Sequence, residues 1–235
     1  MIKAVLIDID NTLLDFDEYV RVAMRQGFEK FGLCQYTDGM FSTFTEANGE
    51  LWREIEQGKL TYTELLKIRW NRIFSALGIS FEGYTFEKYF KECLFDSAIH
   101  VHGAEDILAY LCERYILCAA SNGPYKQQLN RLEKGNMLQY FSRIFISEDV
   151  GASKPSREFF IHCMNALNED AAVRGEGGIL PCEVIMIGDS LTSDISGAAA
   201  MGIVTCFFDK NGDTDTSGIS IDYKISDLRE IRAIL

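Results

Sequence analysis

Two aspartates, Asp8 and Asp10, interrupt the apolar run of VLIDIDNTLLD at residues 5–15. A buried strand has little reason to end in two carboxylates one residue apart. Solvated strand ends do carry Asp as punctuation, so the pair gains a chemical meaning only if it has partners. Carboxylates of this kind can serve as nucleophile, proton carrier or ligands for a hard cation. In an extended strand residues i and i+2 share a face, which would let both approach one substrate. Three further polar groups follow apolar runs elsewhere in the chain. Ser121-Asn122-Gly123, ahead of Pro124, offers a hydroxyl, an amide and backbone N–H groups that would either cap a helix or hold a phosphate. Lys154, ahead of Pro155, is either a solvated surface lysine or a cation aimed at phosphate and carboxylate. Asp189 repeats the Asp8 arrangement after VIMIG, and Asp194 stands where a helix dipole would favour a carboxylate.

The elements that would carry these residues follow from the hydrophobic pattern. KAVLIDI (3–9), YILCAAS (115–121), SRIFISE (142–148), EVIMIG (183–188) and IVTCFF (203–208) are short, oily runs suited to central parallel strands. Helical spacing marks 103–115, 124–138, 155–168 and 193–202 between them. This alternation predicts an α/β fold, a Rossmann-like parallel sheet with helices on both faces and ligands beyond the carboxyl ends of its strands. Residues 17–98 break the rhythm with four consecutive amphipathic helical patterns. The expected organisation is therefore a core of 1–16 and 99–235, with an inserted all-helical cap domain over 17–98. Insertion directly after the first strand predicts a lid over Asp8 and Asp10.

Composition narrows the function. With 35 acidic against 23 basic residues the formal charge is −12, which disfavours binding to a nucleic acid polymer. A small anionic substrate remains compatible if a local cation or metal offsets the acidity. The seven cysteines are scattered without a C-x-x-C pair, against a disulfide framework or zinc site and in favour of small buried hydrophobes in a reducing compartment. No apolar run approaches the roughly 20 residues that span a bilayer. A cytoplasmic protein, with no membrane and no polymer partner, is expected, as a monomer or homodimer.

The order D-x-D, S-N-G, K-P, G-D-x-x-x-x-D, each after a predicted strand, resembles the four motifs of the haloacid dehalogenase (HAD) superfamily. The resemblance runs through the whole chain, helical cap included. It implies a phosphomonoester hydrolase with Asp8 as nucleophile and Asp10 as proton carrier. Ser121, Asn122 and Lys154 would bind the phosphoryl group. Mg²⁺ would be held by Asp8, Asp189 and the backbone carbonyl of Asp10, with Asp194 orienting its water. The superfamily's 2-haloacid dehalogenases need no Mg²⁺ and lack the second aspartate of the first motif, so Asp10 favours phosphoryl transfer. A phosphomutase shares all four motifs. A catalytically idle phosphate-binding protein would be expected to have lost at least one acidic residue.

Residues 48–79, 121–155 and 188–198 are further similar to bacterial pyrimidine 5′-nucleotidases of the superfamily. That similarity implies a nucleoside monophosphate as substrate, with sugar phosphates or phosphoglycolate as alternatives. Asn48, Trp52 and Arg69 would be candidates to contact a base or sugar, although Trp52 would also suit simple packing between helices. The chain departs from the pattern in a long Gly-rich connector at 168–183. Its tail predicts an exposed polar loop, a short strand YKIS and a closing helix.

Overall fold

Four residues without a polar side chain, Ala4 to Ile7, form the first strand because both faces of the sheet they enter are covered. The computed structural model describes residues 1–212 and 214–235, and Asp213, in the polar loop expected after Phe208, lies outside the described residues. The chain divides into two compact units, one of Met1–Asp15 with Ala98–Leu235 and one of Phe16–Ser97.

In the first unit the elements run β1 (Ala4–Ile7), then β2 (Ile116–Ser121), β3 (Arg143–Ile146), β4 (Val184–Gly188), β5 (Val204–Phe208) and β6 (Tyr223–Ile225). They form one six-stranded sheet in the order β3-β2-β1-β4-β5-β6, with every neighbouring pair parallel. Strand alternation sorts the core into two layers. Val5 and Ile7 face a cluster with Ile107, Leu108, Leu111 and Leu132, whereas Ala4 and Leu6 face Phe159, Phe160, Cys163 and Leu167. Strand order reverses beside β1, between β2 and β4. This is the switch point at which sheets of this kind open a crevice at the carboxyl ends of their strands.

The second unit holds α1 (Phe16–Lys30), α2 (Asp38–Glu56), α3 (Tyr62–Leu77) and α4 (Gly83–Asp96). Thr61 and Glu64 close a reciprocal capping box at the start of α3, as T-x-x-E suggests. Glu82 accepts from the backbone N–H groups of Tyr84 and Thr85 and so caps the start of α4. The interior is aromatic, with Phe28, Phe44, Trp70, Phe74, Phe86 and Phe90 buried together. Trp52 packs against Tyr62, their centroids 6.1 Å apart. Arg69 is buried and forked onto Glu87, Nη2 to Oε1 at 2.6 Å and Nε to Oε2 at 3.0 Å, with Asn48 accepting from Nη1 at 3.2 Å. Arg69 thus forms an ion pair inside the helical unit, with three of its N–H groups on Glu87 and Asn48.

The remaining helices belong to the first unit: α5 (Ala104–Cys112), α6 (Tyr125–Lys134), α7 (Ser147–Val150), α8 (Arg157–Val173) and α9 (Gly197–Ala199). Two expectations need correction. α8 continues five residues past its predicted end, because Ala171 is buried in the core and Asp170 is held by the fork of Arg143 at 2.6 Å through two nitrogens. The Gly-rich connector shrinks accordingly. The expected closing helix is present at Leu228–Ala233 as a 3₁₀ helix, opened by a capping box of Asp227 and Glu230. All seven cysteines are free, but only Cys118, Cys163 and Cys206 are buried; Cys34, Cys112 and Cys182 are exposed and Cys93 is half-buried. Among the described residues no helix is long and apolar enough to cross a membrane.

The α1–α4 contact supplies a stability test. A Cβ on Gly27 would fall 2.6 Å from the rings of Phe86 and Tyr89. Gly→Ala in an open helix stabilises by up to about 1 kcal/mol. Here overpacking should reverse the sign, and Gly27→Ala is expected to cost about 1–3 kcal/mol in denaturant unfolding.

Candidate active site

The catalytic candidates converge because their strands end together. Asp8 directly follows β1, and its backbone N–H bonds Ile187 in β4 at 2.9 Å. Asp189 directly follows β4, and Ser121 closes β2. Side-chain oxygens of Asp8, Asp189 and Asp194 lie within 4.8 Å of one another. Lys154 enters from the segment before α8, and its ammonium donates to Asp8 Oδ1 at 2.5 Å, Asp194 Oδ1 at 2.6 Å and the Ala120 carbonyl at 2.6 Å. Lys154 is 2% exposed, so the reading of a solvated surface lysine is excluded.

Each neighbour holds this ammonium in place. Asn122 does so through the main chain: its Nδ2 donates to the Lys154 carbonyl and its Oδ1 accepts the Lys154 N–H, both at 2.9 Å. The capping alternative for Ser121-Asn122-Gly123 is also excluded, since Pro124 occupies the N-cap position of α6 and no side chain caps the helix. Backbone N–H groups at Gly123 and Tyr125 instead bond Ser147 Oγ and Glu148 Oε2. Asp194 is not a helix cap; Ser190 caps the π-helical turn Leu191–Ser196, accepting from Ser193 N at 3.2 Å. Asp194 lies inside that turn, where Oδ2 accepts from Ser190 N at 3.1 Å. It approaches the strand so closely that a Cβ on residue 188 would sit 2.2 Å from Asp194 Oδ2, which explains the glycine of IGD.

Burial and neighbouring charge act together on this cluster. Burial pushes Asp8 up to about 7; Lys154 pulls it back, while Asp194 and Asp10 push it further up. For Lys154, burial works against the ammonium, but Asp194 and Asp8 outweigh it and hold the lysine above its ordinary value. One ammonium thus serves two of three carboxylates. The three grouped carboxylates form an all-oxygen donor set, which fits a hard divalent cation.

Asp10 has different surroundings. β1 ends at Ile7, and Asn11 takes a left-handed conformation at φ 58°, which Asn tolerates better than most residues. Bonds from Leu13 N and Leu14 N to the Ile9 carbonyl close the turn. The Asp10 carboxylate meets α6, with Arg131 Nη1 2.5 Å from Oδ1 and Gln128 Nε2 2.8 Å from Oδ2. The sequence reading missed both residues. Their signal was visible in YKQQLNRLEK, where a helix expected to cover a sheet offers few apolar residues for its inner face. Gln127, Gln128 and Arg131 are in fact buried alongside Leu132.

A model of the haloacid dehalogenase-like hydrolases matches residues 2–202. Pyrimidine 5′-nucleotidase PynA of Streptococcus pneumoniae is 33% identical over 210 residues, covering 88% of this chain and 83% of its own. Pyrimidine 5′-nucleotidase YjjG of Escherichia coli is 25% identical, covering 98% and 96%. A crystal structure of YfnB from Bacillus subtilis, bound to magnesium, is 29% identical with TM-score 0.87, covering 100% of this chain and 98% of its own. The chain belongs to the haloacid dehalogenase-like hydrolase family, among that family's phosphatases.

Two outcomes test these electrostatics. Lys154→Met would leave Asp8 and Asp194 buried without their cation, and unfolding in chelator should lose about 3–5 kcal/mol. The raised pKa of Asp8 also sets a pH dependence. The folded state holds this proton where the unfolded chain has released it, so the stabilisation is complete below the ordinary carboxylate range and lost as pH rises through about 7. In chelator, wild-type stability should therefore fall with rising pH across that window more steeply than Asp8→Asn stability.

Proposed function

We propose that the chain is a Mg²⁺-dependent phosphomonoester hydrolase working through an aspartyl-phosphate on Asp8, with nucleoside 5′-monophosphates as substrates. One observation carries the chemistry: a buried carboxylate at a strand end, bonded to a buried ammonium and grouped with two further carboxylates. Substrate choice rests on the likeness to PynA and YjjG.

In this reading an oxygen of Asp8 attacks phosphorus, and the bond from phosphorus to the ester oxygen breaks. The departing alkoxide takes a proton from Asp10, whose carboxyl group is 31% exposed and so within reach of a ligand. Water then attacks the phosphorus of the aspartyl-phosphate and gives its proton to Asp10. Breakage of the bond from phosphorus to Asp8 releases inorganic phosphate and restores both carboxyl groups. Lys154, the Ser121 hydroxyl and the Asn122 backbone N–H bind the phosphoryl oxygens and their developing charge. Lys154 also keeps Asp8 oriented, and Asn122 keeps Lys154 in place. Asp8, Asp189 and the Asp10 carbonyl would hold Mg²⁺, with Asp194 behind them. When bound, the cation supplies charge that offsets repulsion between Asp8 and an anionic substrate.

A phosphate-release screen over nucleoside monophosphates, sugar phosphates and phosphoglycolate, with and without Mg²⁺, tests this assignment. The highest kcat/KM is expected on a nucleoside monophosphate with Mg²⁺. Asp8→Asn should fall to background, and Asp10→Asn should lose about 10²–10⁴-fold. A preference for sugar phosphates would overturn the substrate alone; undiminished turnover by Asp8→Asn would overturn the mechanism.

A further inference from the structure

Arg131 and Gln128 are unusual residues to bury on a helix that covers a sheet. Arg131 is 1% exposed, and an uncompensated guanidinium would be costly there. Its compensation comes from the site: Nη1 lies 2.5 Å from Asp10 Oδ1 and 3.0 Å from Gln128 Oε1. Gln128, equally buried, divides its Nε2 donor between Asp10 Oδ2 at 2.8 Å and Ser121 Oγ at 2.9 Å. Spacing of i and i+3 sets the two side chains on one face of α6. Both oxygens of Asp10 thus have a fixed partner on the protein side, while part of the carboxyl group stays open.

We infer that Arg131 and Gln128 are positioning residues for Asp10, and that Gln128 fixes the proton carrier relative to the phosphate-binding hydroxyl of Ser121. This rests on the proposed function and extends it to two residues outside the four motifs. Asp10 sits in a turn beyond the end of β1, so the sheet does not by itself fix its side chain. Proton transfer demands hydrogen-bond reach to the leaving oxygen, and a displacement near 1 Å can cost about 10²-fold. Arg131 restrains one carboxylate oxygen and Gln128 the other. The shared Nε2 then makes the distance from phosphate pocket to proton carrier a property of one side chain.

Leaving-group dependence separates this role from general support of the fold. An alkoxide leaves poorly unless protonated, whereas p-nitrophenolate leaves without much help. kcat/KM reports the steps through ester cleavage, so it isolates the step in which Asp10 donates its proton. Wild type, Arg131→Met, Arg131→Lys, Gln128→Met and Asp10→Asn would be compared on uridine 5′-monophosphate and p-nitrophenyl phosphate with Mg²⁺, with thermal melts as a folding control. Arg131→Met and Gln128→Met should lose at least tenfold more kcat/KM on the nucleotide than on the aryl ester. Arg131→Lys should recover part of that difference, and Arg131→Met added to Asp10→Asn should change the selectivity no further. Equal losses on both esters, no loss, or a further selective loss in the double variant would overturn the inference. Should Arg131→Met fail to fold, Gln128→Met, which keeps the side-chain volume, decides the matter by the same ratio. A wild type that releases phosphate from neither ester nor any other phosphomonoester of the screen overturns the phosphatase reading and this inference with it; an active wild type without the selective loss overturns the inference alone.

Discussion

A single buried ammonium ties the carboxyl ends of the sheet together. Lys154 bonds the carboxylate after β1, the carbonyl of Ala120 near the end of β2 and the carboxylate in the turn after β4. Remove it and buried like charges would face each other without compensation, at a cost that no apolar contact nearby could offset. Its own placement is constrained from behind, since Asn122 bonds both the N–H and the carbonyl of Lys154. The sheet topology makes the convergence available, because the strand order reverses beside β1. Lys154 makes it affordable. The grouping of three carboxylates within 4.8 Å of one another is the physical basis for proposing a divalent cation.

Asp8 and Asp10 are chemically identical and only two positions apart, and the fold gives them opposite circumstances. Asp8 is buried at a strand end beside a lysine, restrained and raised toward neutrality by burial. Asp10 lies in a turn, partly exposed, with an arginine and a glutamine bonded to its two oxygens. A nucleophile needs fixed orientation and a counter-charge, whereas a proton carrier needs access to a leaving group and to water. The proposed division of labour therefore follows from where the strand stops. Asn11, at a positive φ, turns the chain at that point.

The sheet and the helices around it were legible because each strand is covered on both faces and so reads as an uninterrupted apolar run. Lys154 and Asp194 had plausible surface roles when read one at a time; only their order after successive strands gave them a common site. Arg131 and Gln128 were not found, since a polar inner helix face looks like an outer one until the partner inside is known. The partner of Arg69 was hidden for the mirror-image reason. A buried ion pair with Glu87, eighteen residues away, leaves no local trace, so its charge was read as available for a ligand. Pattern reports which face of an element is apolar; it does not report which polar groups find each other across a core.

The central claim is that phosphorus passes through the carboxylate of Asp8, and trapping that intermediate tests it most directly. Acid quench of the enzyme during turnover of a labelled phosphomonoester with Mg²⁺, followed by borohydride reduction and peptide mapping, would locate an acyl phosphate. An acid-stable phosphoryl label on the quenched enzyme, released on reduction with homoserine appearing in place of Asp8, is the predicted result. Turnover with no trapped label, or label at another residue, would contradict it.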